Sequence, residues 1–172
     1  MNSIKITSGI LRGRKINTPG GATHPMGERE RLALFNMIVD SIPGASMLDA
    51  FAGSGALGIE ALSRGASSVI FIEKNAKACA VIRDNLRELG LNADVFQGDV
   101  VNFTTRNKYD LILADPPYDK FDINEVKHLS HYLQRKGILV LSHPGEAPDL
   151  PGLELLKSRK YAGATISVYV KG

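Results

Sequence analysis

The chain has 172 residues, of which 44% are hydrophobic and 23% are charged, and it carries a formal net charge of +3. These values are typical of one globular domain and exclude a disordered or fibrous chain. The single cysteine, Cys79, excludes a disulfide framework within the chain, and no apolar run is long enough to cross a membrane. The single cysteine and the lack of a membrane span predict a cytoplasmic protein, and the small size of the chain predicts a monomer.

The first 27 residues are basic and contain no acidic side chain. Loose alternation from Ile4 to Thr18, around a turn at Gly9 to Gly13, predicts a short hairpin. A basic hairpin on an otherwise balanced domain suits contact with a phosphate backbone. The candidate contacts are Arg12, Arg14 and Lys15.

Helices and strands alternate through the rest of the chain. The predicted helices are Glu28–Ser41, Ala56–Arg64, Asn75–Leu89 and Ile123–Gln134. The predicted strands are Met47–Phe51, Ser68–Ile72, Ala93–Gln97, Tyr109–Ala114, Gly137–Ser142, Leu153–Tyr161 and Thr165–Val170. Alternation of this kind indicates βαβ units and a parallel sheet, while the last two strands form an antiparallel edge hairpin. The sequence thus predicts one α/β domain over residues 1–172. It is a three-layer sandwich around a mostly parallel seven-stranded sheet, with residues 1–27 as a basic extension.

A glycine-rich loop lies between the strand Met47–Phe51 and the helix that follows it. Gly53, Gly55 and Gly58 form a G-x-G-x-x-G pattern, whose glycines let the backbone approach a ligand closely at a helix N-terminus. Glu73 ends the next strand, where a carboxylate can accept hydrogen bonds from ribose hydroxyls. This pattern alone leaves a nicotinamide dinucleotide open as the ligand.

Two further acids favour a different ligand. Asp49 lies at the end of the first strand of the alternating region, and Asp99 follows the strand Ala93–Gln97. Carboxylates there would repel a pyrophosphate but attract a sulfonium and an ammonium group. S-adenosylmethionine carries both groups, so we predict it as the cofactor.

The tetrad Asp115-Pro116-Pro117-Tyr118 directly follows a strongly apolar strand. The prolines stop the sheet ladder and stiffen the turn. A rigid acid beside free carbonyls can accept hydrogen bonds from the exocyclic amine of a base, and the Tyr118 ring can stack on that base. The other interpretation of the tetrad by itself is an ordinary strand-ending turn.

These motifs together resemble the RsmD family of bacterial 16S rRNA (guanine-N2)-methyltransferases, which have a Rossmann-like class I fold. The resemblance is carried by residues 48–66, by Phe71–Asn75 and by Asp115–Tyr118, and also by Ile6–Lys15, Arg29–Asn36 and Lys160–Thr165. One departure is His24-Pro25-Met26, where members of the family usually have Arg-Pro-Thr.

The resemblance implies methylation of guanine N2 in 16S rRNA, within a small ribosomal subunit or its assembly intermediate, with S-adenosylhomocysteine as the second product. It implies cofactor contacts from Asp49, Phe51, Gly53, Ser54, Gly55, Glu73, Lys74 and Asp99. It implies base contacts from Asp115, Pro116, Pro117 and Tyr118, and RNA contacts from Arg12, Arg14 and Lys15. Methyl transfer from a sulfonium is a direct displacement, so we expect no metal.

Three alternatives stay open from the sequence. The tetrad also serves enzymes that methylate amino groups of adenine or cytosine in DNA. A protein with this fold could bind RNA without turnover, although an intact Asp115 argues against that. The third alternative is an enzyme that uses a nicotinamide dinucleotide.

Overall fold

The computed structural model describes residues 2–20 and 26–172, so His24 and Pro25 of the departing tripeptide lie outside the described residues. The strands are β1 (Ser3–Lys5), β2 (Lys15–Asn17), β3 (Ser46–Ala50), β4 (Ser68–Glu73), β5 (Asp94–Gln97), β6 (Tyr109–Ala114), β7 (Leu133–His143), β8 (Leu153–Tyr161) and β9 (Ala164–Lys171). The helices are α1 (Glu28–Met37), α2 (Ala56–Ser63), α3 (Ala76–Glu88) and α4 (Ile123–Ser130). None of the helices in these two ranges has the length and hydropathy needed to cross a membrane.

A seven-stranded sheet with the order β5-β4-β3-β6-β7-β9-β8 forms the middle layer. Strands β3 to β7 pair in parallel, and β9 pairs antiparallel with both β7 and β8. Strands β1 and β2 form a separate antiparallel hairpin. This arrangement confirms the predicted sandwich, its terminal hairpin and its N-terminal hairpin.

Both faces of the central strands are buried. Met47 and Leu48 are neighbours in β3, point to opposite faces, and are each 0% exposed. Helices α1, α2 and α3 cover the Met47 face, and α4 covers the Leu48 face. Because neither face meets water, these strands appear in the sequence as continuous apolar runs instead of alternating ones.

Local signals set most of the helix ends. Asn75 caps α3, since its side-chain oxygen accepts a hydrogen bond from the Ala78 amide at 2.9 Å. Gly65 follows α2 with a φ of 103°, a left-handed conformation in which glycine can end a helix without strain. Both residues therefore lie at the ends of the helices predicted over Asn75–Leu89 and Ala56–Arg64.

Two predicted helices are too long. Helix α1 ends at Met37 and is followed by a 3-10 turn at Val39–Ser41, because valine, aspartate and serine are weak helix formers. Helix α4 ends at Ser130, and Leu133 and Gln134, predicted as its last two residues, belong to β7. Leu133 pairs there with Tyr109 of β6 and is 1% exposed, so sheet pairing and burial override the helical pattern.

The chain order defines a crevice at one edge of the sheet. From β3 the chain proceeds outward through β4 to β5, and it then returns to place β6 on the other side of β3. Ligands of open α/β sheets bind beyond the carboxyl ends of the strands at such a reversal point. Asp49 near the end of β3 and Asp115 just after β6 flank this crevice.

Candidate functional site

Asp49 is the most deeply buried acid of the crevice, with 1% of its surface exposed. Its Oδ2 accepts a hydrogen bond from the Gly58 amide at 2.9 Å. Burial raises the pKa of Asp49 well above its usual range; the Gly58 bond lowers it, and the nearby Asp115 and Glu73 charges raise it further. A cation bound among these three carboxylates would relieve their repulsion.

The glycine loop and Glu73 lie against each other. The Gly53 amide donates a hydrogen bond to Glu73 Oε2 at 3.2 Å, so the end of β4 is tied to the loop that follows β3. Gly53 and Gly55 have φ values of 58° and 82°, in the left-handed region that favours glycine. Phe51 has the same conformation with a φ of 58°, at a cost of about 1–2 kcal/mol, and marks a sharp turn at the strand end.

Gly58 brings helix α2 against the sheet. A Cβ atom at this position would lie 2.3 Å from Cε1 of Phe71 and 2.9 Å from Oδ2 of Asp49. Both distances are far shorter than atomic contacts allow, so only glycine permits this approach. The hydrogen bond that holds Asp49 depends on it.

We expect Gly58→Ala to lower the free energy of unfolding by about 2 kcal/mol, because overpacking outweighs the usual gain of alanine in a helix. Urea denaturation measures this change. Gly163→Ala is the matched control, since nothing lies within 4 Å of a Cβ there. Equal stability of the two variants would contradict the close approach of α2.

The remaining predicted cofactor residues differ in accessibility. Ser54 is 3% exposed, and its backbone carbonyl oxygen accepts a hydrogen bond from the Asn85 side-chain amide at 3.3 Å. Lys74 is exposed. Asp99 begins a short 3-10 turn, and its Oδ1 accepts from the Val101 amide at 3.4 Å.

Glu125, near the start of α4, faces Asp99 and was missed by the sequence analysis. Burial raises the pKa of Glu125, as does the charge of Asp99, whereas Lys74 lowers it. Asp99, Lys74 and Glu125 thus share the adenine side expected for the cofactor. An acid in the first turn of a helix usually complements the helix dipole, so the residue type and position of Glu125 do not indicate this contact.

The tetrad after β6 is anchored from another strand. Burial raises the pKa of Asp115 to about 6, and the neighbouring Ser142 hydroxyl moderates this rise. The Tyr118 hydroxyl hydrogen-bonds to Ser142. Pro116 is buried, while Pro117 is exposed and the Tyr118 ring is half-buried. Ser142, at the end of β7, was not among the predicted site residues.

The basic residues of the N-terminal hairpin lie far from the tetrad. The Ile10 amide donates to the carbonyl of Ser63, the last residue of α2, and the Arg14 guanidinium donates to the carbonyl of Glu88, the last residue of α3. Both helices begin at the crevice and run away from it for 8 and 13 residues, respectively. The hairpin is thus held at the helix ends opposite Ala56 and Ala76, while Asn85, one turn before Glu88, reaches the glycine loop through Ser54.

A buried carboxylate holds this hairpin. Glu60 of α2 is 1% exposed and accepts hydrogen bonds from the amides of Thr7 at 2.9 Å and Ser8 at 3.1 Å. It also pairs with Arg64 at 3.0 Å and with Arg31, itself 3% exposed, at 3.9 Å. The loop between β1 and β2 is therefore a fixed part of the domain.

Asn85 of α3 joins the hairpin to the glycine loop. Its side chain accepts from the Asn17 amide at 2.9 Å and donates to the Asn17 carbonyl at 2.9 Å, in addition to its bond with Ser54. Asn85 is 1% exposed. The basic extension and the loop expected to hold the cofactor thus share one buried amide.

Comparison with known proteins gives matches over nearly the full length. The family model described as conserved hypothetical protein 95 matches residues 4–170. Ribosomal RNA small subunit methyltransferase D of Escherichia coli K12 is 32% identical over 93% of this chain and 85% of its own. YlbH of Bacillus subtilis is 32% identical over 98% of this chain and 99% of its own.

Solved structures agree with the fold. The yhhF protein of E. coli has a TM-score of 0.90 and 29% identity, and the match covers 99% of this chain and 98% of that one. The hypothetical protein TTHA0928 of Thermus thermophilus has a TM-score of 0.82 and 29% identity, with 98% and 99% covered. Sequence and structure therefore agree from the basic hairpin to the last strand, and the chain belongs to the family described as conserved hypothetical protein 95, the RsmD family that its motifs resemble.

Proposed function

We propose that the protein transfers a methyl group from S-adenosylmethionine to the exocyclic N2 of a guanine in the 16S rRNA of the small ribosomal subunit. The E. coli relative is named a ribosomal RNA small subunit methyltransferase. The observation that carries the proposal is the cluster of Asp49, Glu73 and Asp115 at the crevice, because Asp115 is also the first residue of the rigid tetrad. The enzyme acts as a monomer in the cytoplasm, where bacterial subunits assemble.

The crevice fits a cationic donor better than a dinucleotide. Asp49 is buried and is raised in pKa by its acidic neighbours, so a sulfonium and an ammonium group would be attracted where a pyrophosphate would be repelled. Glu73 would accept hydrogen bonds from the ribose hydroxyls, with the Gly53 amide holding its carboxylate in place. S-adenosylmethionine, when bound, supplies a methyl group on a positively charged sulfur.

Asp115 would act on the acceptor amine. Its carboxylate and the Pro116 carbonyl would accept hydrogen bonds from the two N–H groups on guanine N2. These bonds would direct the nitrogen lone pair toward the methyl group. With a pKa of about 6, Asp115 is ionised at neutral pH and can stabilise the charge that develops on the nitrogen or take its proton. Tyr118 would stack on a guanine that has left its base pair.

The proposal is tested with tritium-labelled S-adenosylmethionine and three substrates: small subunits from cells that lack the protein, naked 16S rRNA, and duplex DNA. We expect label in the RNA of the subunits, approaching one methyl group per particle, and none in DNA. Calorimetry in parallel should detect S-adenosylhomocysteine and not NAD. Label in DNA alone, or binding of NAD without S-adenosylhomocysteine, would overturn the proposal.

The hairpin supplies a separate test of RNA contact. Replacing both Arg12 and Arg14 with alanine should weaken binding to subunits and reduce the steepness of its salt dependence by roughly 1–2 in log–log slope. Affinity for S-adenosylhomocysteine should not change, because the Arg14 guanidinium bonds to the end of α3 and not to an acid of the crevice. A matched double variant at the exposed Arg135 and Lys136 of β7 removes the same charge elsewhere. If both double variants show the wild-type salt slope, the hairpin does not contact RNA.

A further inference from the structure

Ser142 is the residue of β7 whose side chain hydrogen-bonds to the tetrad, through the Tyr118 hydroxyl. It follows Leu141, which pairs with Ala114 of β6, so it lies level with Asp115 at the carboxyl end of the sheet. The Ser142 side chain lies on the same sheet face as Val140, and Asp115 follows Leu113 on that face. The side chain is 1% exposed, and a buried hydroxyl must have hydrogen-bond partners to offset its loss of water.

The directions of the Ser142 hydrogen bonds follow from chemistry. The sheet register places Ser142 beside Asp115, and an ionised carboxylate can only accept, so the Ser142 hydroxyl is placed to turn its single hydrogen toward Asp115. The Ser142 oxygen would then accept from the Tyr118 hydroxyl, since either oxygen of that pair can donate. The result is a directed chain from Tyr118 through Ser142 to Asp115, in which each bond polarises the next.

This chain fixes what the tetrad backbone leaves free. Pro116 and Pro117 restrict the backbone between Asp115 and Tyr118, but both side chains can still rotate about their own bonds. We propose that Ser142 is a positioning residue for methyl transfer, whose hydroxyl sets the Asp115 carboxylate and the Tyr118 ring in one fixed geometry toward the acceptor base. The inference rests on the proposed function and adds to it a residue from a different strand.

The other groups near this chain cannot replace Ser142. Asp49 faces Asp115 from β3 and accepts from the Gly58 amide, and Glu30 of α1 faces Tyr118, but within the described residues neither acid hydrogen-bonds to the tetrad. His143, the next residue of β7, points to the opposite sheet face and bonds to Ser167 at 2.7 Å. Removal of the Ser142 hydroxyl would therefore leave Asp115 without this donor.

The pH dependence of kcat tests the inference, with Ser142→Ala, Ser142→Thr and Tyr118→Phe compared with wild type. We expect the rising limb of the wild-type profile near pH 6, and a shift of about one pH unit upward in Ser142→Ala, because the ionised carboxylate loses a donor. Ser142→Thr keeps the hydroxyl and should restore the wild-type midpoint. Tyr118→Phe should raise KM for RNA. It should move the midpoint of the pH profile less than half as far as Ser142→Ala does.

Failure of this inference is distinct from failure of the proposed function. If wild type is active and Ser142→Ala loses activity with an unchanged midpoint, the serine is merely structural and the inference is wrong. If wild type transfers no methyl group, the function is wrong, and the midpoint is read from the pH dependence of unfolding instead. Between about pH 6 and about pH 7, Ser142→Ala should then lose further stability relative to wild type, because its Asp115 stays protonated in the folded state to a higher pH. The same falling range in both proteins would overturn the inference without any substrate.

Discussion

Replacing Asp115 with asparagine should lower kcat for methyl transfer by a factor of roughly 10²–10³ and, at the same time, stabilise the fold at pH 8. Asparagine has nearly the same volume, but it lacks the negative charge and presents an NH2 group where the acceptor amine needs oxygen atoms. The loss should lie in kcat and not in the affinity for S-adenosylhomocysteine, which depends mainly on Asp49 and Glu73.

The sign of the stability change follows from the pKa. Burial raises the pKa of Asp115 in the folded protein from its ordinary value of 3.8 to about 6, so the folded state binds a proton more tightly than the unfolded state does. The contribution of Asp115 to stability therefore falls as pH rises from about 4 to about 6 and stays lower above that range, by up to about 3 kcal/mol. Asparagine removes this cost at pH 8 but gains nothing at pH 4, where the carboxyl is protonated in both states.

Urea denaturation of wild type, Asp115→Asn and the exposed control Asp119→Asn, at pH 4 and pH 8, measures this effect. Only Asp115→Asn should gain stability, and only at pH 8. A gain of the same size at both pH values would show that Asp115 does not carry a buried charge.

The second large effect is expected from Glu60→Ala, which should destabilise the protein by about 3–5 kcal/mol. Arg31 would remain buried without its countercharge, and the amides of Thr7 and Ser8 would lose their acceptors. We expect faster hydrogen exchange at these two amides, because the basic hairpin would separate from α2. This links a residue in the helix after the glycine loop to the surface expected to bind RNA.

Two controls define this result. Glu88→Ala removes an exposed glutamate from α3 and should change stability by less than about 0.5 kcal/mol. The double variant Arg31→Met with Glu60→Leu replaces both charges by apolar groups and should be more stable than Glu60→Ala. If Glu60→Ala behaves like Glu88→Ala, the buried network does not hold the hairpin.

The sheet could be predicted from sequence because its signals are local. Strand β6 is an apolar run that stops at Asp115-Pro116, and β4 is one that stops at Glu73. The strand ends of a parallel sheet meet at one edge, so the acids following them could be placed in one crevice. The end of α4 could not be predicted, because pairing of Leu133 with Tyr109 depends on a contact between separate strands.

The supporting residues of the site were missed for the same reason. Ser142 lies 24 positions from Tyr118, Glu60 lies 53 positions from Thr7, and Asn85 lies 68 positions from Asn17. In the sequence, Glu60 and Asn85 are ordinary polar residues of helices. A weak signal existed for Glu60, since α2 is apolar on most sides and leaves little surface for a solvated acid.

The most direct test of the acidic crevice is a crystal structure with S-adenosylhomocysteine bound. We expect its amino-acid end beside Asp49 and the glycine loop, its ribose at Glu73, and its sulfur facing Asp115. Binding at the opposite edge of the sheet, or a sulfur that cannot face Asp115, would contradict the proposed site.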